Sequence, residues 1–206
     1  EAFAPFFDVA SLWERAVTVR FDDVETKILS PEHLLIYLCE HALRVNHTFD
    51  RLILVYDLVC LLDTFAGRLD WDAVAREAGA FHLSGLVYFA LKQVVHDAGV
   101  TLPAGILDRL RPPRITFEQR IFSMLQRRGL RIRGSSYLLY LSMNEGPAKK
   151  ILFFLRTLFP PRIIQRQRRG AHDAHRASRL ERARVIEIVA HLARVLPDLL
   201  RGRSVD

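Results

Sequence analysis

Apolar residues recur every three or four positions along most of this chain, but a short stretch near its start alternates instead. Val17-Thr18-Val19-Arg20-Phe21 and Val24-Glu25-Thr26-Lys27-Ile28-Leu29 are two β-rich runs around Asp22-Asp23, a pattern that predicts a hairpin. Before it, residues 9–16 hold Leu12 and Trp13 and read as a short helix. Beyond Ser30 the spacing is helical throughout.

Ser30-Pro31-Glu32 carries three start signals. A Ser oxygen caps a free backbone N–H, Pro is tolerated at the first helical position, and Glu suits the positive end of the helix dipole. Leu34, Leu35, Leu38, Cys39 and Ala42 then fall on one stripe. Asp50 is a candidate cap for a second helix bearing Leu52, Val55, Tyr56, Val59 and Leu62, with Gly67 closing that segment. Asp70 caps a third helix through Trp71, Val74 and Ala78, with Trp71 packing on the helix pair before it. A fourth helix is predicted over 81–96, ending near Gly99. Further helices are predicted over 116–128, 135–143 and 148–159, the last introduced by Gly146-Pro147 and stopped by Pro160-Pro161. A final helix over 178–200 sets Val185, Ile188, Val189, Leu192, Val195, Leu196 and Leu199 on one stripe opposite an Arg-rich face. The expected fold class is therefore mainly α, with one small N-terminal β-hairpin.

Charge divides what periodicity leaves continuous. The 206 residues carry a net +7, but residues 1–110 hold 9 Lys/Arg against 16 Asp/Glu, a balance of −7, and residues 111–206 hold 21 against 7, a balance of +14. The change falls at Pro112-Pro113, where proline disfavours helix in the residue before it. Two units are expected: a hairpin plus helical subdomain over 1–110 and a basic helical extension over 111–206. Half of the residues are apolar and 26% are charged, an ordinary composition for a folding chain and unlike that of a disordered one.

Cys39 and Cys60 both lie in apolar helical patterns. Two such cysteines make no disulfide framework and suit a reducing, cytoplasmic setting, with a Cys39–Cys60 bridge still open at this level. No apolar run approaches the ~20 residues of a bilayer span, so no transmembrane helix is expected. The chain opens on Glu1-Ala2-Phe3-Ala4-Pro5 without a signal-peptide pattern, which reads as the middle of a longer protein.

Several strings occur in a telling order: Leu12-Trp13-Glu14-Arg15-Ala16, the hairpin, Leu29-Ser30-Pro31-Glu32-His33-Leu34-Leu35, Leu38-Cys39-Glu40-His41, Arg51-Leu52-Ile53-Leu54-Val55-Tyr56-Asp57-Leu58, and Leu69-Asp70-Trp71. In this order and spacing they resemble a bacterial family of uncharacterised nucleotidyltransferases, itself similar to the polymerase-β type. The resemblance runs from about Leu12 to Leu110 and thins afterwards to Leu158-Phe159-Pro160-Pro161-Arg162. It implies a parent enzyme that moves a nucleotidyl group from a nucleoside triphosphate to an acceptor, with Mg²⁺ as cofactor. In that family a Gly-rich turn and an Asp-x-Asp pair precede the region matched here, and the carboxylates hold the Mg²⁺. Only eleven residues precede Leu12, and Asp8 is not part of an Asp-x-Asp. The catalytic half is therefore expected upstream of Glu1, or to have been lost, and this chain alone is expected to be inactive and to bind no metal.

Within the resembling stretch, His41 and Asp57 are candidates to orient a base, a ribose hydroxyl or the acceptor. The plainer alternative is a polar contact between two helices. Arg44 and Arg51 are candidates for a phosphate, against the alternative of a solvated helix face. The most basic run contains Arg162, Arg166, Arg168 and Arg169. It suits an anionic surface, membrane or nucleic acid, and supports a rival reading in which the chain is a non-catalytic binding or scaffold module. Asp22-Asp23 with Glu25 reads as an acidic turn before it reads as a metal site. His172-Asp173-x-His175 lacks the further ligands of a tetrahedral set.

Overall fold

The computed structural model describes residues 9–43, 52–127, 135–144 and 146–158, together with Ile186 and Ala190. Helix α1 spans Val9–Glu14 and leads into strands β1 (Val17–Phe21) and β2 (Val24–Ile28), paired antiparallel with Val17 opposite Ile28 and Phe21 opposite Val24. The turn between them is Asp22-Asp23. Asp22 takes a positive φ of 49°, a conformation that Asp tolerates better than most residues.

Eight more helices follow among the described residues: α2 (Pro31–Ala42), α3 (Leu52–Thr64), α4 (Trp71–Ala80), α5 (Ser84–Ala98), α6 (Ile106–Leu110), α7 (Phe117–Arg127), α8 (Tyr137–Ser142) and α9 (Pro147–Leu158). The fold is mainly α, as its periodicity implied. Ser30 Oγ accepts from the His33 N–H at 3.3 Å, and Asp70 Oδ1 accepts from the N–H groups of Asp72 and Ala73 at 2.9 and 3.0 Å. Both predicted caps thus start their helices. Glu32, in the first turn of α2, also accepts the Asp70 N–H at 3.2 Å and so ties the start of α2 to the start of α4.

Besides shifts of one or two residues at several helix ends, two features depart from expectation. The fourth helix begins at Ser84 instead of residue 81, because α4 runs to Ala80 and the chain then turns through His82 at a φ of 58°. In that turn the Leu83 N–H returns to the Ala78 carbonyl at 2.7 Å, using up a helix-end acceptor. Helix α6 has no counterpart in the sequence pattern. Its five residues are too few for periodicity to show, and it is held by burial of Ile106 and Leu110. Gly99 closes α5 in the left-handed conformation, with a φ of 66°. Asp50 and the helix expected over 178–200 lie outside the described residues, apart from helical, exposed Ile186 and Ala190.

Helix α2 is the hub. It packs against α3, α4 and α5, with Leu35, Ile36, Cys39 and Leu43 fully buried. The same buried cluster continues across Pro112-Pro113 to Phe122 on α7 and Tyr140 on α8. Phe89 and Phe122 meet edge to face at 5.7 Å, a favoured aromatic geometry. Gly85 lets α5 pass this junction, since a Cβ there would lie 3.1 Å from Pro112 Cγ. Trp71 is half-buried against the cluster, as expected.

Asp70→Ala should lower unfolding stability by about 1 kcal/mol through loss of the α4 cap, readable as a shifted urea midpoint at unchanged m value. Helices α7 and α9 are joined by a Lys150–Glu118 ion pair. Burial raises the Glu118 carboxyl, but Lys150 and nearby hydrogen bonds outweigh it and leave it below its ordinary value. A carboxylate depressed in the folded state stabilises above its unfolded pKa of ~4.3 and loses that contribution as pH falls through its lower, folded value. Lys150→Met should therefore cost stability at pH 7 and less at pH 3, in paired thermal melts.

Candidate functional site

Two buried polar side chains, His33 and Glu77, meet where α2 and α4 pack together. Glu77 on α4 is 6% exposed and receives the Arg15 guanidinium at 2.8 Å, with Arg76 Nε at 3.4 Å. His33 on α2 is 1% exposed, and its Nε2 lies 3.7 Å from Glu77 Oε2. Neither ring nitrogen of His33 has a hydrogen-bond partner among the described residues, and its ring leans on Phe81 at 5.8 Å between centroids. The cluster follows from local sequence. Ser30 sets the helical phase that turns position 33 inward, and Glu77 occupies the same stripe as Ala73, Val74 and Ala78. An acidic residue inside an apolar stripe was the available signal, although the sequence reading singles out neither His33 nor Glu77. A second buried contact, Tyr140 Oη to Glu40 Oε1 at 2.8 Å, fastens α8 to the opposite end of α2.

His41 and Asp57 sit on α2 and α3, which pack together, and both are half-buried. The His41 ring stacks on Tyr37 at 5.8 Å with an interplanar angle of 14°. Exposed Leu52, Ile53 and Tyr56 line the outer side of α3. The Tyr56 phenol is raised above its ordinary value, first by its hydrogen bond with Cys60 and least by the Asp57 carboxylate. Arg44 and Arg51 lie outside the described residues, as do Arg162, Arg166, Arg168, Arg169 and His172-Asp173-x-His175.

Two open clefts lie among the described residues. One, of about 630 Å³, lies over the start of α5 and includes His82, Ser84, Gln119, Asn144 and Lys149. The other, of about 680 Å³, lies beside the end of α3 and includes Tyr56, Asp63, Phe65 and Trp71. Among the described residues no group of three His, Cys, Asp or Glu could hold a metal ion, and the Asp22-Asp23 turn carries an exposed Arg20–Asp23 pair. Cys39 and Cys60 are free thiols, and burial pushes Cys39 far up, which removes it as a nucleophile near neutral pH. Among the described residues no helix is long and apolar enough to cross a membrane.

This arrangement is a hairpin leading into a helical unit in which buried His33 and Glu77 meet a half-exposed Arg15. Residues 2–97, just under half of the chain, match the family described as uncharacterised nucleotidyltransferase. That stretch is similar to a nucleotidyltransferase-like family. Neither the curated proteins nor the solved structures gave a match.

Glu77→Ala should destabilise by about 2 kcal/mol, because it strands the half-exposed Arg15 and removes the carboxylate facing buried His33. A double-mutant cycle with Arg15→Ala, read by urea denaturation, should show coupling between the two; simple additivity would mean that the ion pair contributes nothing.

Proposed function

We propose that this chain is the helical portion of an enzyme that transfers a nucleotidyl group from a nucleoside triphosphate to an acceptor, and that it works in the cytoplasm. The observation that carries the reading is a coincidence of boundaries. The family match ends at residue 97, one residue short of the end of α5 at Ala98, so it takes in the hairpin and the helices packed on α2. The described residues supply support and a substrate-facing surface, not the reacting carboxylates. We assign those, and the Mg²⁺ they hold, to sequence upstream of Glu1. On the α2–α3 face, His41 and Asp57, together with Arg44 and Arg51, would orient the nucleotide or the acceptor by hydrogen bonds and charge.

The test is pyrophosphate release with Mg²⁺ and each common nucleoside triphosphate. The 206-residue chain should release none. A protein extended upstream through a Gly-rich turn and an Asp-x-Asp pair should release it, and Asp57→Ala in that protein should lower kcat/KM by about tenfold, the worth of one positioning contact. Turnover by the 206-residue chain alone would overturn the upstream assignment. An inactive extended protein would overturn the transferase reading and leave the second one, favoured by the +14 balance of residues 111–206: a binding module that lays Arg162, Arg166, Arg168 and Arg169 on an anionic surface.

A further inference from the structure

The β1–β2 hairpin is the least covered element among the described residues. Its register sets Val17 opposite Ile28, Val19 opposite Thr26 and Phe21 opposite Val24 on one face, and Thr18 opposite Lys27 and Arg20 opposite Glu25 on the other. The first face is apolar, yet Val17 is 42% exposed, Phe21 67%, Val24 66% and Ile28 44%. A two-stranded hairpin standing alone is marginal in water, and three or more strands with an apolar face are the usual minimum. Among the described residues β1 and β2 pair only with each other, which leaves each strand one open edge, and an open edge is a template for another strand.

The sequence of β2 says which strand fits. Val24-Glu25-Thr26-Lys27-Ile28 has Thr at its centre, opposite charges one step out and aliphatic residues two steps out. In antiparallel pairing about a two-fold axis at Thr26, Glu25 of one copy faces Lys27 of the other, twice, and Val24 faces Ile28. Charged edge residues ordinarily deter pairing. Here they attract in this register, whereas moving the axis to residue 25 or 27 sets Glu25 against Glu25 or Lys27 against Lys27. The edge of β1 lacks this property: an axis at Val19 faces Thr18 with Arg20, and no opposite charges meet.

We propose that the partner of this edge is a second copy of the chain, and that two copies pair through β2 into a four-stranded antiparallel sheet ordered β1–β2–β2–β1. The two-fold axis runs perpendicular to the sheet, so both apolar faces lie on the same side and form one continuous surface. Side chains of the two β2 strands then shield each other across the new junction. This inference stands apart from the transferase reading, since it rests on the hairpin alone.

Sedimentation equilibrium of the 206-residue chain tests it. The chain should dimerise, and Glu25→Lys or Lys27→Glu alone should weaken the dimer by about tenfold or more, since each turns two attractive cross-strand pairs into repulsive ones. An equimolar mixture of the two variants should recover association as a heterodimer, because the paired lysines on the β2 strand of one variant then face the paired glutamates on that of the other. That recovery separates lost pairing from a damaged hairpin. A chain that stays monomeric up to about 100 μM, single variants that associate as tightly as the parent, or a mixture without recovery would each overturn the proposal. A monomer whose β2 amides resist hydrogen exchange would also overturn it, by showing that the chain covers its own edge.

Discussion

Enclosure of α2 is the constraint on which the rest of the structure depends. Leu35, Ile36, Cys39 and Leu43 are completely buried, which stabilises the fold by a hydrophobic contribution of about 1.5–3 kcal/mol for each large side chain. The same helix takes two polar side chains, His33 and Glu40, inside with them. Buried polar groups are costly unless matched. Glu77 of α4, carrying Arg15, faces the first, and Tyr140 of α8 meets the second. Those two needs fix which neighbours stand at which end of α2, beyond what non-directional apolar packing demands.

Large apolar side chains open to solvent among the described residues include those of the hairpin and of the outer side of α3. Within the stretch similar to nucleotidyltransferases, the ionisable core groups His33, Glu40 and Glu77 are spent on assembly. His33 illustrates this: it sits inside the resembling string Ser30-Pro31-Glu32-His33-Leu34-Leu35, yet its ring is 1% exposed and is held among Phe81 and Glu77. A residue type associated with catalysis serves here at the centre of the packing.

Much of the fold was legible because its signals are local. The Asp22-Asp23 turn, the Ser30 and Asp70 caps and the Gly99 stop each act within three or four residues, and the structure has all four. Helix α6 was not legible, since five residues cannot display a period. The start of α5 was missed for a related reason: Phe81 and Leu83 continue an apolar pattern, but both are buried by the turn that ends α4. Of the candidate site, His41 and Asp57 fell on packed helices as their spacing implied. The Glu77 cluster stayed hidden because its members come from positions 15, 33 and 77, with no periodicity to join them.

The sequence by itself determined where the hairpin and most of the helices lie, which of their faces are apolar, how charge divides along the chain, and the family order of motifs within residues 2–97. Each of these depends on interactions between near neighbours or on composition, and both are properties of the chain before it folds. Only the tertiary structure decided that Glu77 would meet Arg15 and His33, that Tyr140 would reach Glu40 from far along the chain, and that the apolar face of the hairpin would remain uncovered among the described residues. Those outcomes depend on which helices pack together. Apolar burial rewards many such arrangements about equally, and the few polar groups carried inside select among them.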